Sequence, residues 1–158
     1  MKIRPLLRKD KAALLSMLIK VKMFTSQEID VAMELIDIVL KDPGQKDYRI
    51  SCRVDDQDQP VGYICYGPAP MTLGTFDLYW IAVAPEAQSH GLGAQLMEHL
   101  EEEIRPLKGR LVLIDTSSTP AYASAKRLYL RKGYEEVARI PHYYAPGNDR
   151  VTYGKRLS

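Results

Sequence analysis

The order of strand-like and helix-like segments predicts one mixed α/β domain, in which helices cover the faces of a mixed sheet. Three observations support this fold class. Alternation of apolar and polar residues recurs in short segments, and apolar residues at helical spacing occupy the segments between them. The length of 158 residues suits a single compact domain, and no linker, repeat or low-complexity stretch divides it. The resulting order is β-α-α-β-β-β-α-β-α-β-β.

The first third of the chain predicts one strand and two helices. Residues 2–7 can form a short strand, and Asp10 is placed to cap the helix that follows. Thr25 and Glu28 have the spacing of a capping box, which indicates the start of a second helix. The sequence Asp-Pro-Gly at 42–44 ends that helix. The apolar stripe of the second helix is Ile29, Ala32, Met33, Ile36 and Leu40.

The middle of the chain predicts three strands. Residues 48–54 alternate between apolar and polar, residues 55–60 form a polar turn, and residues 61–66 return as the partner strand of a hairpin. The run 74–83 is rich in aromatic and β-branched residues and mostly lacks polar alternation. This composition is typical of a strand that is covered on both faces.

The last part of the chain continues with two helices and three strands. A helix begins near Gly91, with its apolar face at Leu92, Leu96, Leu100 and Ile104. Residues 111–114 form a short apolar strand, and a further helix covers about 120–132, ended by Gly133. Two final strands lie near 134–144 and 150–155, joined by residues 145–149.

The composition excludes several classes of protein. Hydrophobic residues make up 46% and charged residues 27% of the chain, which excludes a disordered tail or a collagen-like repeat. The net charge of +2 is too even to indicate a nucleic-acid partner. No apolar run approaches the roughly 18 residues that span a bilayer, and charged residues return too early for a secretory segment. We therefore expect a cytoplasmic protein with no nucleic-acid or membrane partner.

The two cysteines, Cys52 and Cys65, have neither CxxC spacing nor a histidine at a zinc-ligand distance in the sequence. Both fall in apolar, alternating segments. We expect two buried thiols rather than a disulfide or a metal site, and no bound metal.

The segment with the clearest chemical signal joins the long strand to the helix that begins near Gly91. A glycine-containing turn at a helix N-terminus presents unpaired backbone N–H groups and partial positive charge, a combination that holds a phosphate or pyrophosphate. Gly91 and Gly93 lack side chains, so a bulky anion can approach the backbone. Leu96 stands where the dinucleotide pattern needs glycine, and no Walker-type Gly-Lys-Ser/Thr follows. A tight turn that merely needs flexible residues is the alternative.

The chain resembles the GNAT superfamily of acyltransferases, which move acetyl from acetyl-coenzyme A to an amine. A strand ending in Ala-Val-Ala-Pro at 82–85 precedes Gln-Ser-His-Gly-Leu-Gly at 88–93, which is similar to the family's Gln/Arg-x-x-Gly-x-Gly/Ala pyrophosphate loop. Residues 125–134, Ala-Lys-Arg-Leu-Tyr-Leu-Arg-Lys-Gly-Tyr, resemble the family's Ala-x-x-Leu-Tyr-x-x-x-Gly-Phe/Tyr stretch. The element order matches over nearly the whole chain. The resemblance implies a mostly antiparallel sheet of about seven strands with four helices and splayed central strands.

The resemblance also implies site residues. The pyrophosphate of the co-substrate acetyl-coenzyme A would contact the backbone amides of Gln88, Ser89, His90, Gly91, Leu92, Gly93 and Ala94. Its pantetheine arm would pair with the backbone of Ile81, Ala82 and Val83 as if it were another strand. Tyr129 stands where many members carry the general acid that protonates the departing thiolate, although a core aromatic residue is the alternative at this position.

Two positions depart from the family pattern. The family often has Gly-Arg or Arg-Arg where this chain has Ser89-His90, which removes a side-chain contribution to phosphate binding. An asparagine frequently lies three residues before the alanine of the second motif, but that position here is Tyr122. A contact that the asparagine makes to pantetheine or substrate would then be absent.

Asp77 is the candidate general base because it interrupts an otherwise apolar strand. Burial would raise the pKa of its carboxyl toward a useful range, and some family members carry a catalytic carboxylate at the matching position. A structural pair with an arginine or a hydroxyl, or binding of the acceptor ammonium, explains the residue equally well. Deprotonation through water without a dedicated base is a further alternative. Strict alternation would place Asp77, Tyr79 and Ile81 on one face.

Other polar residues have two interpretations each. Thr116, Ser117 and Ser118 would lie opposite the pantetheine opening or form a turn that caps the next helix. Residues 142–144, His-Tyr-Tyr, could shape the acceptor groove or belong to an edge strand. The second helix has three acidic residues that could attract a cationic amine or could simply form its exposed polar face, namely Asp30, Glu34 and Asp37.

The sequence therefore predicts an acetyl-coenzyme A-dependent N-acetyltransferase that works by direct attack in a ternary complex. A non-catalytic acyl-coenzyme A-binding module of the same fold is the competing hypothesis. The expected partner is a small-molecule or peptide amine, which the sequence does not identify, and self-association as a homodimer stays open.

Overall fold

The computed structural model describes residues 2–157 as one seven-stranded sheet with four α-helices. The strands are β1 Lys2–Pro5, β2 Arg49–Val54, β3 Pro60–Pro68, β4 Thr75–Val83, β5 Leu111–Ser117, β6 Glu135–Ala145 and β7 Asn148–Arg156. The α-helices are α1 Lys11–Val21, α2 Ser26–Lys41, α3 Leu92–Ile104 and α4 Ala123–Arg131. The predicted element order and the numbers of strands and helices are confirmed.

The strands lie side by side in the order β1-β2-β3-β4-β5-β7-β6. Every neighbouring pair is antiparallel except β4 and β5, which run parallel. The sheet separates two apolar cores. One core contains residues of α3 and α4, and the other contains residues of α1 and α2. Strand β4 contributes to both cores, which confirms that it is covered on both faces.

The predicted helix starts are only partly correct. Thr25 and Glu28 form the expected capping box: each backbone N–H donates to the other side chain, at 2.9 and 3.1 Å. Asp10 directly precedes α1, but its side chain caps no helical N–H. It accepts hydrogen bonds from the backbone N–H of Leu7 at 2.8 Å and from the guanidinium of Arg4 at 2.8 and 3.0 Å instead. The ion pair anchors β1 to the start of α1.

Strands β5 and β7 are longer than predicted. Strand β5 continues through Ser117, because Thr116 and Ser117 pair with β7 and the hydroxyl of Thr116 donates to the carbonyl of Val151. Of the two interpretations of Thr116 and Ser117, the one that places them in a turn is therefore wrong. Strand β7 starts at Asn148, because Gly147 adopts a positive φ and keeps the turn before it short.

Strand β4 contains one extra residue relative to its neighbour β3. Cys65 pairs with Trp80 and Tyr66 pairs with Leu78, so Tyr79 has no partner on β3. Such a β-bulge bends the strand and increases its twist. It lies directly after the last residue of β4 that pairs with β5.

The bulge changes which face of the sheet the side chains occupy. Leu78 and Ile81 both pack into the core of α3 and α4, whereas Tyr79 and Trp80 both pack into the core of α1 and α2. The prediction that Asp77, Tyr79 and Ile81 share one face is therefore wrong for Ile81. Side chains along a strand alternate between the two faces of the sheet, so one inserted residue reverses the alternation for every residue after it.

The cysteines behave as predicted, since Cys52 and Cys65 are both buried free thiols. Over residues 2–157, no group of three histidine, cysteine, aspartate or glutamate side chains has the arrangement of a metal site. None of the helices in the described part of the chain is long and apolar enough to cross a membrane.

The ion pair of Arg4 and Asp10 gives a first prediction. Burial acts to raise the pKa of Asp10, but the hydrogen bonds from Arg4 and Leu7 outweigh it, so the pKa lies below its usual value. Asp10→Asn should lower the free energy of unfolding by about 2 kcal/mol near neutral pH. The difference from wild type should begin to shrink as the pH falls below about 4, where the unfolded state takes up a proton, and should be lost only below the lowered pKa of the folded state. Urea unfolding over a pH series measures both effects.

Asp37→Asn is the matched control, because Asp37 pairs with Lys11 on the surface at 2.6 Å. This variant should unfold close to wild type. Equal destabilisation by the two substitutions would contradict a special role for the ion pair at Asp10.

Candidate functional site

The central strands separate in the middle of the sheet. Pairing between β4 and β5 covers only Thr75–Leu78 against Leu111–Ile114. Beyond this point β5 pairs with β7 alone, while Ile81, Ala82 and Val83 of β4 pair only with β3. One edge of β4 is thus left without a strand partner among the described residues. An extended ligand can bind such an edge as an added strand.

The N-terminus of α3 lies at the end of this open edge. Ser89 and Gly91 have positive φ angles of 69° and 73°, and no side chain caps the helix. The first N–H groups of an α-helix have no intrahelical acceptor. A Cβ atom on Gly91 would meet no atom within 4 Å, whereas one on Gly93 would lie 2.9 Å from Cδ2 of Leu128. Gly91 therefore leaves the helix N-terminus open, and Gly93 lets α3 approach α4 closely.

A cleft of about 500 Å³ combines these two features. We call it the basic cleft, because its charged lining residues in the described chain are Lys22, Arg127 and Arg131. No sequence motif marks these three cations, although Arg127 and Arg131 are four residues apart and so share a face of α4. Of the residues implied by the resemblance, the cleft is lined by Ile81, Ala82, Val83, Gln88, Ser89, Gly91, Leu92, Gly93, Ala94 and Tyr129.

His90 is not among the residues that line the basic cleft. Its Nδ1 lies 3.2 Å from the carbonyl oxygen of Ala87 and 2.9 Å from that of Gln88. The imidazole is thus engaged with the loop backbone. The side-chain amide of Gln88 donates to the carbonyl of Val83 at 3.1 Å, which ties the loop to the end of β4.

A second cleft of about 740 Å³ lies beside the first. We call it the aromatic cleft, because its lining includes Phe24, Tyr79, Trp80, Tyr122, Tyr129 and Tyr144. Residues of α2, β4, β5 and the segment before α4 form its walls. The two clefts share Met23, Ile81, Ala121 and Tyr129, so they meet beside the open edge of β4.

Tyr129 lies at the junction of the two clefts and is only 4% exposed. Its ring centroid is 5.8 Å from that of Tyr153, and the contact anchors the phenol in the core of α3 and α4. Burial, with a smaller effect of Tyr153, raises the pKa of Tyr129 above its ordinary value. The hydroxyl therefore stays protonated near neutral pH and can donate a proton or hydrogen bond.

Asp77 is half-buried and lies on the face of β4 that carries Tyr79. It does not line either cleft itself, whereas its neighbour Tyr79 lines the aromatic cleft. Burial and the negative charge of Asp115 raise the pKa of the Asp77 carboxyl, and Arg150 opposes them. The carboxylate is thus a stronger base than an exposed aspartate.

The comparisons with known proteins decide the family. The sequence matches the acetyltransferase (GNAT) domain over residues 47–136. The chain belongs to the GNAT acetyltransferase family. A solved structure from Desulfovibrio desulfuricans, assigned to the same family, is 36% identical with a TM-score of 0.94 and covers 99% of each chain. A search of curated proteins finds no significant match.

Two more distant structures share the fold of this GNAT protein. An aminoglycoside 6'-N-acetyltransferase complexed with coenzyme A is 17% identical, with a TM-score of 0.77 and coverage of 100% of this chain and 98% of the other. The ribosomal-protein-S18-alanine N-acetyltransferase from Escherichia coli is 21% identical, with a TM-score of 0.76 and coverage of 99% and 94%.

Two carboxylates, Glu28 and Asp115, line the aromatic cleft of this GNAT protein, and the sequence indicated neither of them as a site residue. The hydroxyl of Tyr122 donates to Oε2 of Glu28 at 2.5 Å, which joins the start of α2 to the segment before α4. Tyr122, which stands at the position where the family often has asparagine, therefore holds the start of α2 in place through this hydrogen bond. Asp115 accepts hydrogen bonds from Thr152 at 2.6 Å and from Arg150 at 2.8 Å.

The remaining polar candidates divide between the cleft and the surface. Thr116, Ser117 and Tyr144 line the aromatic cleft. The hydroxyl of Ser118 instead accepts the backbone N–H of Asp149, and Nδ1 of His142 accepts that of Gly147, both at 2.8 Å. The acidic residues of α2 that were candidates for attracting an amine do not line the cleft, namely Asp30, Glu34 and Asp37.

The environment of Asp77 gives a second prediction. In carboxyl-detected NMR titrations, Asp77 should titrate above the reference pKa of about 3.9. Asp115→Asn should lower that midpoint, because it removes a negative charge and frees Arg150 to stabilise the Asp77 carboxylate. Asp30→Asn, on the exposed surface of α2, is the control and should leave the midpoint unchanged. If Asp115→Asn leaves the titration midpoint of Asp77 unchanged, the electrostatic coupling between Asp77 and Asp115 is refuted.

Proposed function

We propose that the protein is an acetyl-coenzyme A-dependent N-acetyltransferase, which transfers acetyl to a primary amine by direct attack in a ternary complex. The observation that carries the proposal is the junction of the two clefts at Tyr129, beside the open edge of β4. Membership of the GNAT acetyltransferase family supports it.

The basic cleft fits coenzyme A in charge and in shape. The uncapped N-terminus of α3 offers backbone N–H groups and partial positive charge to a pyrophosphate. Lys22, Arg127 and Arg131 add positive charge along the same cleft, and its wall holds no carboxylate within residues 2–157. The open edge of β4 at Ile81–Val83 offers a row of backbone groups to the amide-containing pantetheine arm.

Direct attack fits the arrangement better than an enzyme-bound acyl group on cysteine. Cys52 and Cys65 are both fully buried, and burial raises the pKa of each thiol to about 12. Thiols in that state form almost no thiolate near neutral pH. The shared wall of the clefts instead lets the amine approach the thioester carbonyl directly, and the positioning of two substrates supplies much of the acceleration.

Asp77 accepts the proton of the acceptor ammonium in this proposal. Its raised pKa suits a general base, and because Asp77 lines neither cleft the proton reaches it through one bridging water. The free amine then forms the N–C bond while the C–S bond breaks. Tyr129 donates its hydroxyl proton to the departing thiolate, and the resulting phenolate takes up the second proton, which the acetylated nitrogen releases. Bound acetyl-coenzyme A supplies the activated acetyl group.

Binding of the co-substrate gives a third prediction. Acetyl-coenzyme A at one hundred times its Kd should stabilise the protein by about 2.7 kcal/mol, which thermal unfolding detects. The double variant Arg127→Gln/Arg131→Gln should need at least about tenfold more ligand for the same shift, because it removes two phosphate-side charges. Lys126→Gln is the matched control, since Lys126 is exposed on α4 outside the cleft. No shift at millimolar ligand would overturn the proposal.

The proton-transfer residues give a fourth prediction. Tyr129→Phe and Asp77→Asn should each lower kcat by about 10²–10³-fold with little change in the KM for acetyl-coenzyme A. Release of free thiol with an active amine from a panel measures the rate. Tyr153→Phe removes a hydroxyl from the neighbouring ring, outside both clefts, and should keep nearly full activity. Ligand binding without thiol release from any amine would instead support a non-catalytic binding module.

A further inference from the structure

The two clefts carry opposite charge. The charged residues in the wall of the aromatic cleft are Glu28 and Asp115, and no lysine, arginine or histidine of residues 2–157 lines it. The basic cleft has the reverse arrangement, with three cations and no carboxylate. The aromatic cleft therefore favours a positively charged ligand, and the basic cleft favours a negatively charged one.

The two carboxylates are not equivalent. Asp115 forms an ion pair with Arg150 at 2.8 Å, so much of its charge is neutralised locally. Glu28 accepts only neutral donors, the backbone N–H of Thr25 at 2.9 Å and the hydroxyl of Tyr122 at 2.5 Å. Within the described chain no cation pairs with Glu28. These bonds fix the carboxylate in the wall and leave its negative charge uncompensated.

The rest of the wall combines aromatic rings with the uncharged polar side chains of Thr25, Gln27, Thr116, Ser117, Thr119 and Asn148. Phe24 and Trp80 are in contact, with ring centroids 5.3 Å apart. Tyr122 and Tyr144 add rings from two other elements. Aromatic faces attract an ammonium group and pack against apolar or aromatic ligand groups.

We propose, on the basis of the acetyltransferase function above, that the acceptor is a primary amine with an aromatic or other large apolar group near it and no free carboxylate beside it. Glu28 attracts the ammonium group and repels a carboxylate, and the aromatic wall binds the apolar group. A free arylalkylamine and a polypeptide N-terminus with a large apolar first residue share this chemistry. Free amino acids and polyhydroxylated amines lack it.

A matched pair of acceptors tests the proposal on the full-length wild-type protein. Phenylalaninamide and phenylalanine share the side chain and the α-amine and differ in the carboxylate, and thiol release from acetyl-coenzyme A measures kcat/KM for the unprotonated amine of each, because the carboxylate also makes the amine of phenylalanine more basic. The amide should be favoured by at least about tenfold. Phenethylamine and a short peptide amide that begins with phenylalanine distinguish the small-molecule source from the polypeptide source. Comparable rates for phenylalanine and its amide, or a preference for kanamycin or glycinamide, would overturn the proposal.

Substitution of Glu28 tests the residue that makes the selection. Glu28→Gln should reduce the preference for phenylalaninamide over phenylalanine by at least about fivefold, while phenylalanine itself is accepted as well as before or better. A glutamine can still complete the capping box and accept from Tyr122, so the fold is preserved. Asp30→Asn removes a charge from the exposed face of the same helix and should leave the preference unchanged. An unchanged preference in Glu28→Gln would overturn the role of Glu28.

Failure of this proposal is distinguishable from failure of the proposed function. Efficient turnover of an amine outside the class, with acetyl-coenzyme A bound, overturns the acceptor assignment and leaves the acetyltransferase intact. Absence of both a thermal shift and thiol release overturns the acetyltransferase, and the acceptor assignment with it.

Discussion

The short parallel pairing of β4 with β5 is the constraint on which the rest of the site depends. The pair holds for four positions on each strand, and the bulge at Tyr79 follows at once. Because β4 is packed on both faces, its backbone stays extended even where one edge has no strand partner. Buried backbone groups need hydrogen-bond partners, so this edge is suited to an extended, amide-containing ligand. The same separation opens the space in which two substrates can meet.

Charge then divides the opening into two parts. Cations of α4 and the segment after α1 surround the N-terminus of α3, whereas carboxylates of α2 and β5 lie among aromatic rings on the other side. Under the proposed function, this division would direct the phosphate-bearing co-substrate and the ammonium-bearing acceptor to different clefts. Tyr129 is buried between them, where its raised pKa keeps it a proton donor.

The sequence predicted the part of the site that depends on a continuous segment. Residues 88–94 form a strand–turn–helix junction, so their geometry follows from local glycine and helix-start patterns. The capping box at Thr25 and the buried state of both cysteines were likewise readable from local patterns. The bulge at Tyr79 could not be predicted from the sequence of β4, because a bulge is defined by the pairing with the neighbouring strand β3. The bulge places Ile81 on the face opposite to the predicted one.

By itself, the sequence determined the order of strands and helices, the family and the loop that precedes α3, since each of these is encoded in neighbouring residues. Only the tertiary structure decided the composition of the aromatic cleft. Glu28 and Tyr122 are 94 positions apart and still share a hydrogen bond. Asp115 meets Arg150 across a strand pairing with a separation of 35 residues. Such contacts depend on how the elements pack against each other. The hydrophobic pattern within one helix or strand does not indicate which residues of another element it will contact.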